Sequence, residues 1–361
     1  MRRSAPDQPV ALWVVPVSNL AGVARHVIDV ARVGLPGWSL VVAAPEGPLL
    51  DEVRAHGVEV VPVGIGPGVR LDRAVRAFRG LVRRVRPQVV HTHLARADLL
   101  AAMATPGLPV RLVSTEHHIP PDRFMFHPTL ARAKAKETVH HHRLKRFDRL
   151  IAVSASTRRD MLTYWRPQQP VTVILNGVDR PVVAPVRGAG LRFLSLARLS
   201  PEKNIELTLR AFARIRAAEP TATLTIGGTG ESEAGLRHLA DELGVAADVD
   251  FAGFINAEQA MADHDVVLQP SRSDNCSYTL LDAVAAGMGV AASPIGGNPE
   301  ILPAHCIAEL EDLDGFVRVA LEQAQRPDRR PTLPDEVPTV AGMAARIVGE
   351  YAQVPRPRRW R

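Results

Sequence analysis

"DVVLQPSRSDNCSYTLLDAVAAGMGVAASP" (residues 265–294) decides how the fold is read. A short apolar run, "DVVLQPS", passes through a polar loop, "RSDNCS", into a helix-forming stretch, "YTLLDAVAAG"; a second apolar run, "GVAASP", follows. Apolar runs that do not alternate with polar residues are buried on both faces. Two of them joined by a helix form a β-α-β unit of a parallel sheet. Ser277 stands where that helix needs an N-cap. The N–H groups of the first turn lack partners inside the helix and form an anion site. Asp274 lies in the loop before the helix, and Asp282 lies inside it, about 6–8 Å further along the axis. Singly, Asp274 reads as an Asx-turn residue and Asp282 as a solvated helix residue. Set on either side of one helix start, they read as two hydrogen-bond acceptors flanking a bound anion.

The same alternation extends in both directions. Upstream, buried strands are expected at 11–17, 40–45, 58–63, 89–93, 110–115, 149–154 and 171–175. Between them, "VARHVIDVARV" and "LDRAVRAFRGLVRRVRP" repeat apolar residues at helical spacing. In the second, Leu71, Val75, Phe78, Leu81, Val82 and Val85 share a stripe, with arginines opposite. The stretch "NGVDRPVVAPVRGAG" (176–190) breaks the pattern with Pro and Gly. Strand and helix then resume from "LRFLSLA" to "GVAASP". A chain of 361 residues is long for one core. The expectation is an α/β protein of two doubly wound Rossmann-like domains facing across a cleft. They are residues 1–182 and 191–338, joined by a linker at 183–190. A helix at 339–354 packs back on the first domain, and 355–361 form a loose basic tail. In such sheets ligands sit outside the carboxyl ends of the strands, so site residues are sought just after each strand.

Composition excludes several classes. The net charge of +6 comes almost wholly from arginine, since the only lysines are Lys134, Lys136, Lys145 and Lys203. No nucleic-acid-binding module accompanies that charge, so no nucleic-acid partner is expected. Cys276 and Cys306 make neither a disulfide framework nor a metal site. The start, "MRRSAPDQPVALWVVPV", has too short an apolar run for a signal or a membrane span. A cytoplasmic location is the expectation.

The strand "LRFLSLA" leads into "RLSPEKN", which sets Arg198 and Lys203 beside the next helix. Their chemistry suits phosphate, arginine as a fork and lysine as a point charge. A ligand with charge in the middle and hydroxyls at both ends fits two cations, a helix start and two flanking carboxylates. A nucleoside diphosphate-sugar is such a molecule.

Taken together, these stretches resemble the retaining GT-B glycosyltransferases of the family 4 group (glycosyl transferases group 1). That family carries a Glu, seven residues and a second Glu before a Gly-Gly-x-Pro-Glu turn. Here "DNCSYTLLD" sets Asp274 and Asp282 with seven residues between them, and "GGNPE" follows. Gly289 stands where the family has proline. "NLAGVARHVIDVA" resembles the family's first glycine loop, with Ala21 for one glycine and Gly22 kept. "VVHTHLARADLLA" and "LVSTEH" resemble its histidine-bearing strand ends. "LARLSPEKN" is similar to its cation motif, with Ala197 and Asn204 for glycines, and "TIGGTGESEAGLRHLADELGV" to its nucleotide-side loop. The resemblance covers roughly 10–303.

It implies a donor-binding second domain and an acceptor-side first domain. Arg198 and Lys203 would hold the diphosphate and stabilise the leaving group. Asp274 would contact the sugar and Asp282 the ribose; Asn275, Cys276 and Ser277 would offer backbone N–H groups to phosphate. Gly228 and Gly230 would let the chain pass close to the nucleoside, with Gly22 also on the donor side. His117 would contact the sugar near the reacting carbon. The implied reaction keeps anomeric configuration by front-face attack. It needs no cofactor or metal, and moves sugar from a nucleotide-sugar, UDP-linked first and GDP-linked second, to a glycan or lipid-linked acceptor. The shortened carboxylates suggest one alternative, a weakened homologue that binds nucleotide or glycan without transfer; similarity of fold leaves another, a UDP-sugar 2-epimerase, against which the family 4 loop argues.

Other clusters read differently. "DHD" (263–265) approaches a buried strand, where a structural Asp belongs rather than a metal ligand. "VHHHR" (139–143) reads as a solvated helix face, because consecutive histidines do not share one face. His91 and His93 alternate on a strand end. The basic segment 123–146 and the helix at 72–86 suit peripheral contact with anionic membrane at its inner face.

Overall fold

The computed structural model describes residues 8–119, 130–181, 187–354 and 360, with side chains outside 130–136. It divides into two compact units, Met1–Gly177 with Pro338–Arg361, and Val178–Val337.

Among the described residues the first unit holds seven strands: β1 (Val10–Val14), β2 (Ser39–Ala44), β3 (Glu59–Pro62), β4 (Val89–His93), β5 (Arg111–Glu116), β6 (Arg149–Ala152) and β7 (Val171–Val173). All pair in parallel, in the order β3-β2-β1-β4-β5-β6-β7. Side chains alternate across β1: Leu12 and Val14 enter one core cluster, Ala11, Trp13 and Val15 the other. Both faces are therefore buried, which is why the strand reads as an unbroken apolar run. The helix Leu71–Val85 buries Ala74, Phe78, Leu81 and Val82. Leu71, expected on that stripe, is exposed at the helix start.

Among the described residues the second unit holds five strands: β8 (Arg192–Leu196), β9 (Thr223–Gly227), β10 (Val249–Gly253), β11 (Val266–Gln269) and β12 (Gly289–Ala292). Their order is β10-β9-β8-β11-β12, again all parallel. In both sheets the winding reverses beside the first strand, between β1 and β4 and between β8 and β11. Those reversals are where crevices open at the carboxyl ends of such sheets.

Three expectations need correction. The first unit ends at Gly177 rather than 182, because Gly177 lies against the C-terminal helix: a Cβ there would meet the Thr339 carbonyl oxygen at 2.8 Å. That helix, Val340–Ala352, belongs to the first unit and buries Val340, Met343, Ala344, Ile347 and Tyr351 in its core. Of the tail expected to be loose, 355–359 and 361 lie outside the described residues, but Trp360 packs on the other cluster, and its indole N–H donates to the Pro87 carbonyl at 3.1 Å. The "VHHHR" stretch is solvated only in part: Val139 and His142 are exposed, but the other face is covered. His140 is buried and stacked on Trp165, ring centroids 4.3 Å apart, and Arg143 is buried beside it. Arg143 closes onto Asp98 and Glu116, so the basic helix Leu130–Leu144 is anchored through the core. Of the segment expected to meet membrane, 123–146, residues 123–129 and the side chains of 130–136 lie outside the described residues. Among the described residues no helix is long and apolar enough to cross a membrane.

Candidate functional site

In the second unit, β8 ends at Leu196 and the chain turns through Arg198 to a short helical turn, Pro201–Lys203. Asn204 follows at φ 53, a left-handed conformation that asparagine tolerates better than most non-glycine residues. That explains how it replaces a glycine before the helix Ile205–Ala218.

Beside this turn, β11 leads into the loop at 270–277 and the helix Tyr278–Ala285. Ser277 caps that helix as expected, its hydroxyl accepting from the Leu280 N–H at 3.3 Å. The same hydroxyl donates to Gln269 Oε1 at 3.1 Å. Gln269 Nε2 in turn donates to Asp274 Oδ2 at 3.2 Å. Gln269, missed in the sequence, thus ties the cap to the carboxylate. Lys203 Nζ lies 2.9 Å from the same Asp274 oxygen. The Asn275 N–H, expected to face phosphate, donates instead to Asp274 Oδ1 at 3.0 Å. The Asp274 carboxylate therefore holds two groups assigned to a diphosphate.

Arg198 is turned elsewhere. Its guanidinium pairs with Glu202 and reaches Ser200 Oγ at 3.3 Å, with 66% of the side chain exposed. Burial alone would push the Glu202 carboxyl up, but Ser200, its own backbone N–H and Arg198 hold it below its ordinary value. The turn and the loop are tied through the backbone, Arg272 N–H donating to the Glu202 carbonyl at 2.8 Å. So Lys203, Asp274, Asn275 and Ser277 come together, while Arg198 sits on the same turn without a bond to the helix start. Cys276 is buried, and Asp282 is half-buried on the helix.

The glycines have steric reasons. A Cβ on Gly228, at φ 134, would lie 1.9 Å from the Ala197 carbonyl oxygen, and one on Gly230 would lie 2.2 Å from that of Leu199. These glycines let the loop after β9 lie against the Arg198 turn. Gly296, at φ 58, was missed: a Cβ there would lie 1.7 Å from the Asp274 carbonyl oxygen. At Gly289, where the resemblance leads one to expect proline, the N–H donates to the Asp265 carbonyl at 2.9 Å, a bond proline lacks. The "DHD" residues serve separate partners. Asp265 receives Arg192 at both oxygens, 2.9 Å each, His264 bonds Ala260 and Thr225, and Asp263 bonds Gln259.

In the first unit, His117 follows β5 and meets three other histidines. His93 Nδ1 lies 2.9 Å from His117 Nε2. His91 and His93 share one face of β4 with ring centroids 4.6 Å apart, and His26 comes from the helix Gly22–Val33. Trp13 lies among them, 4.6 Å from the His93 ring and 4.9 Å from His91. Trp13 Nε1 donates to the Tyr351 hydroxyl at 2.8 Å, and that hydroxyl lies 2.6 Å from His91 Nδ1. The pairing that uses every proton has the hydroxyl donate there and His91 carry its own proton on Nε2, 2.7 Å from Thr115 Oγ1. Asn176 Oδ1 lies 3.3 Å from His26 Nδ1. Burial pushes His26 down to about 4 against the raising effect of Asn176. Burial, then the neighbouring imidazoles, put His91, His93 and His117 well below the ordinary range. All four are neutral at neutral pH. Gly22 opens its helix in exposed surroundings, with no atom within 4 Å of a Cβ position.

Comparison with known proteins gives concordant matches. A family described as "Glycosyltransferase Family 4" matches residues 20–180, and one described as "Glycosyl transferases group 1" matches residues 185–307. The glycogen synthase of Mycobacterium tuberculosis is 28% identical over 332 residues, covering 80% of this chain and 78% of that one. A GDP-mannose-dependent phosphatidylinositol monomannoside mannosyltransferase of Mycolicibacterium smegmatis is 34% identical over 132 residues, 34% of this chain and 32% of that one. Among solved structures, Anabaena HepE in complex with UDP-glucose superposes with TM-score 0.76 at 18% identity, over 96% of this chain and 100% of that one. Sucrose-phosphate synthase of Thermosynechococcus elongatus gives TM-score 0.77 at 18% identity, over 96% and 98%.

Proposed function

The chain belongs to the family 4 glycosyltransferases of GT-B fold, and on that premise we propose that it moves a sugar, with retention, from a UDP-sugar to a glycan or lipid-linked acceptor. The observation that carries the reading is Lys203 and Asp274 meeting at a capped helix start, at the switch point between β8 and β11. A donor diphosphate takes Lys203 from Asp274, and Arg198 swings from Glu202 to the same group. Asp274, released, accepts from the sugar; Asp282 accepts from the ribose. Cys276 and Ser277 present backbone N–H groups to phosphate, and Gly228 and Gly230 leave room for the nucleoside. His117 meets the sugar near the reacting carbon, with Gly22 on the donor side. The acceptor hydroxyl attacks from the face the diphosphate leaves and gives its proton to the departing phosphate oxygen. No metal or separate base is needed in this reading. Charge placed in advance at the leaving group is the main term, one such donor being worth about 3–4 kcal/mol.

UDP is favoured because the fold neighbour HepE binds UDP-glucose, with GDP second because a mannosyltransferase relative uses GDP-mannose. We place the enzyme in the cytoplasm, in polysaccharide or cell-envelope synthesis, with peripheral contact at anionic membrane. Liposome flotation at low salt tests that contact, and absence of co-flotation ends it. The test of function is incubation with radiolabelled UDP-glucose and GDP-mannose, with and without acceptor. Transfer or slow hydrolysis supports the reading. Epimerised sugar makes the chain an epimerase, and binding without either makes it a weakened homologue.

A further inference from the structure

We propose that His26, His93 and His117 form a binding site for one divalent transition metal of the zinc class. One nitrogen from each lies within 4.8 Å of the other two. The ring centroids are 5.5, 4.9 and 5.2 Å apart. Tetrahedral Zn–N bonds of about 2.0–2.1 Å set the rings of neighbouring imidazole ligands about 5 Å apart. The three rings thus already stand at ligand spacing.

The surroundings resemble those of a built site. Asn176 holds His26 through Nδ1, the kind of outer contact that orients an imidazole ligand. His93 is stacked on His91, itself locked by Tyr351 and Thr115. His93 Nε2 is buried and has no hydrogen-bond partner among the described residues, a costly state for a polar atom. An ion drawing on that nitrogen satisfies it; an ion drawing on Nδ1 replaces the His117 hydrogen bond. Burial keeps the imidazoles neutral, the form that coordinates. His117 is half-buried and gives the way in. Three imidazoles without carboxylate select zinc, cobalt, nickel or copper over magnesium or calcium. The fourth position is left to water or an anion. An ion here also occupies the imidazole assigned above to the sugar. That consequence rests on the proposed function, whereas the site does not.

The test is titration of the untagged full chain with Co²⁺, read by visible absorption, and with Zn²⁺, read by calorimetry. One equivalent is expected, with binding at least 30-fold weaker in His26→Gln and His93→Ala and unchanged in His141→Gln/His142→Gln. Should His93→Ala lose its cooperative melt, His26→Gln alone decides. Absence of a saturable equivalent, or affinity within threefold of wild type in His26→Gln, overturns the site. No turnover is read, so the result stands apart from the assay of transfer.

Discussion

Replacing Asp274 by asparagine is expected to tighten the binding of UDP. The Asp274 carboxylate holds the groups an anion would use: Lys203 Nζ at 2.9 Å and the Asn275 N–H at 3.0 Å. A diphosphate that needs Lys203 must displace it. The gross attraction at that separation is about 6 kcal/mol at an effective dielectric of about 20. The two side chains are 25% and 15% exposed, so water and salt cancel most of it. A wholly exposed pair nets about 0–1 kcal/mol, and removing one partner of a buried pair costs about 3–5. For this mostly but not fully covered pair a net of about 1–2 kcal/mol lies between those limits, or roughly 5–30-fold in Kd. Asparagine keeps the shape, and its amide oxygen still accepts from Asn275, but the charge that competes for Lys203 is gone. Calorimetric titration at physiological salt should show UDP bound 5–30-fold tighter by Asp274→Asn. Turnover of the sugar-bearing donor should fall, because the acceptor for its hydroxyl is weakened. Unchanged or weaker UDP binding would refute the competition.

Arg198→Ala is expected to lower turnover about 10²–10³-fold, as for loss of one preorganised donor at a developing charge; a near-wild-type rate removes it from the mechanism. Gly296→Ala forces a left-handed alanine, costing about 1–2 kcal/mol, and pushes a Cβ into the Asp274 carbonyl, 1.7 Å away without movement. Donor affinity should drop about 10–100-fold, while Gly235→Ala, with open space around it, gains about 0.4–1 kcal/mol in melts. Tyr351→Phe strands Trp13 Nε1 and His91 Nδ1. It should cost about 1–3 kcal/mol in urea melts and release His91 from its Nε2–H tautomer, seen by nitrogen-15 NMR. Burial would push Asp265 up, but the hydrogen bonds and charge of Arg192 outweigh it and hold the carboxyl below its ordinary value. Its stabilisation is full above the unfolded pKa of about 3.9 and is lost as pH falls through the lower folded value. Melts of wild type and Asp265→Asn should differ at pH 7 and converge toward pH 2–3; a gap constant with pH contradicts the pairing.

The β-α-β reading of 265–294 needed only local pattern, and the strands, the helix and the Ser277 cap all form there. Periodicity sees such units because each spans few residues. The pairing of Lys203 with Asp274 joins positions 71 residues apart, and sequence logic had sent them to different parts of a ligand. Charge alone could have hinted that, without ligand, they would find each other. Trp13 and Tyr351 are 338 residues apart, and neither lies in a recognisable motif. His26 lay in plain sight four residues beyond Gly22, inside a quoted glycine loop. It was passed over because a lone histidine in an amphipathic helix gives no local sign of what it faces. The "VHHHR" reading failed for the same reason: helical spacing correctly separated the three histidines, but not which of them Trp165 would cover.

The central claim is that the diphosphate of the donor binds at the start of the helix Tyr278–Ala285, held by Lys203. A crystal structure of the chain with UDP tests it most directly. The account predicts phosphate oxygens in hydrogen-bond contact with Lys203 Nζ and with the first turn of that helix, and Asp274 released from the lysine. UDP bound elsewhere while Lys203 still holds Asp274 would contradict it.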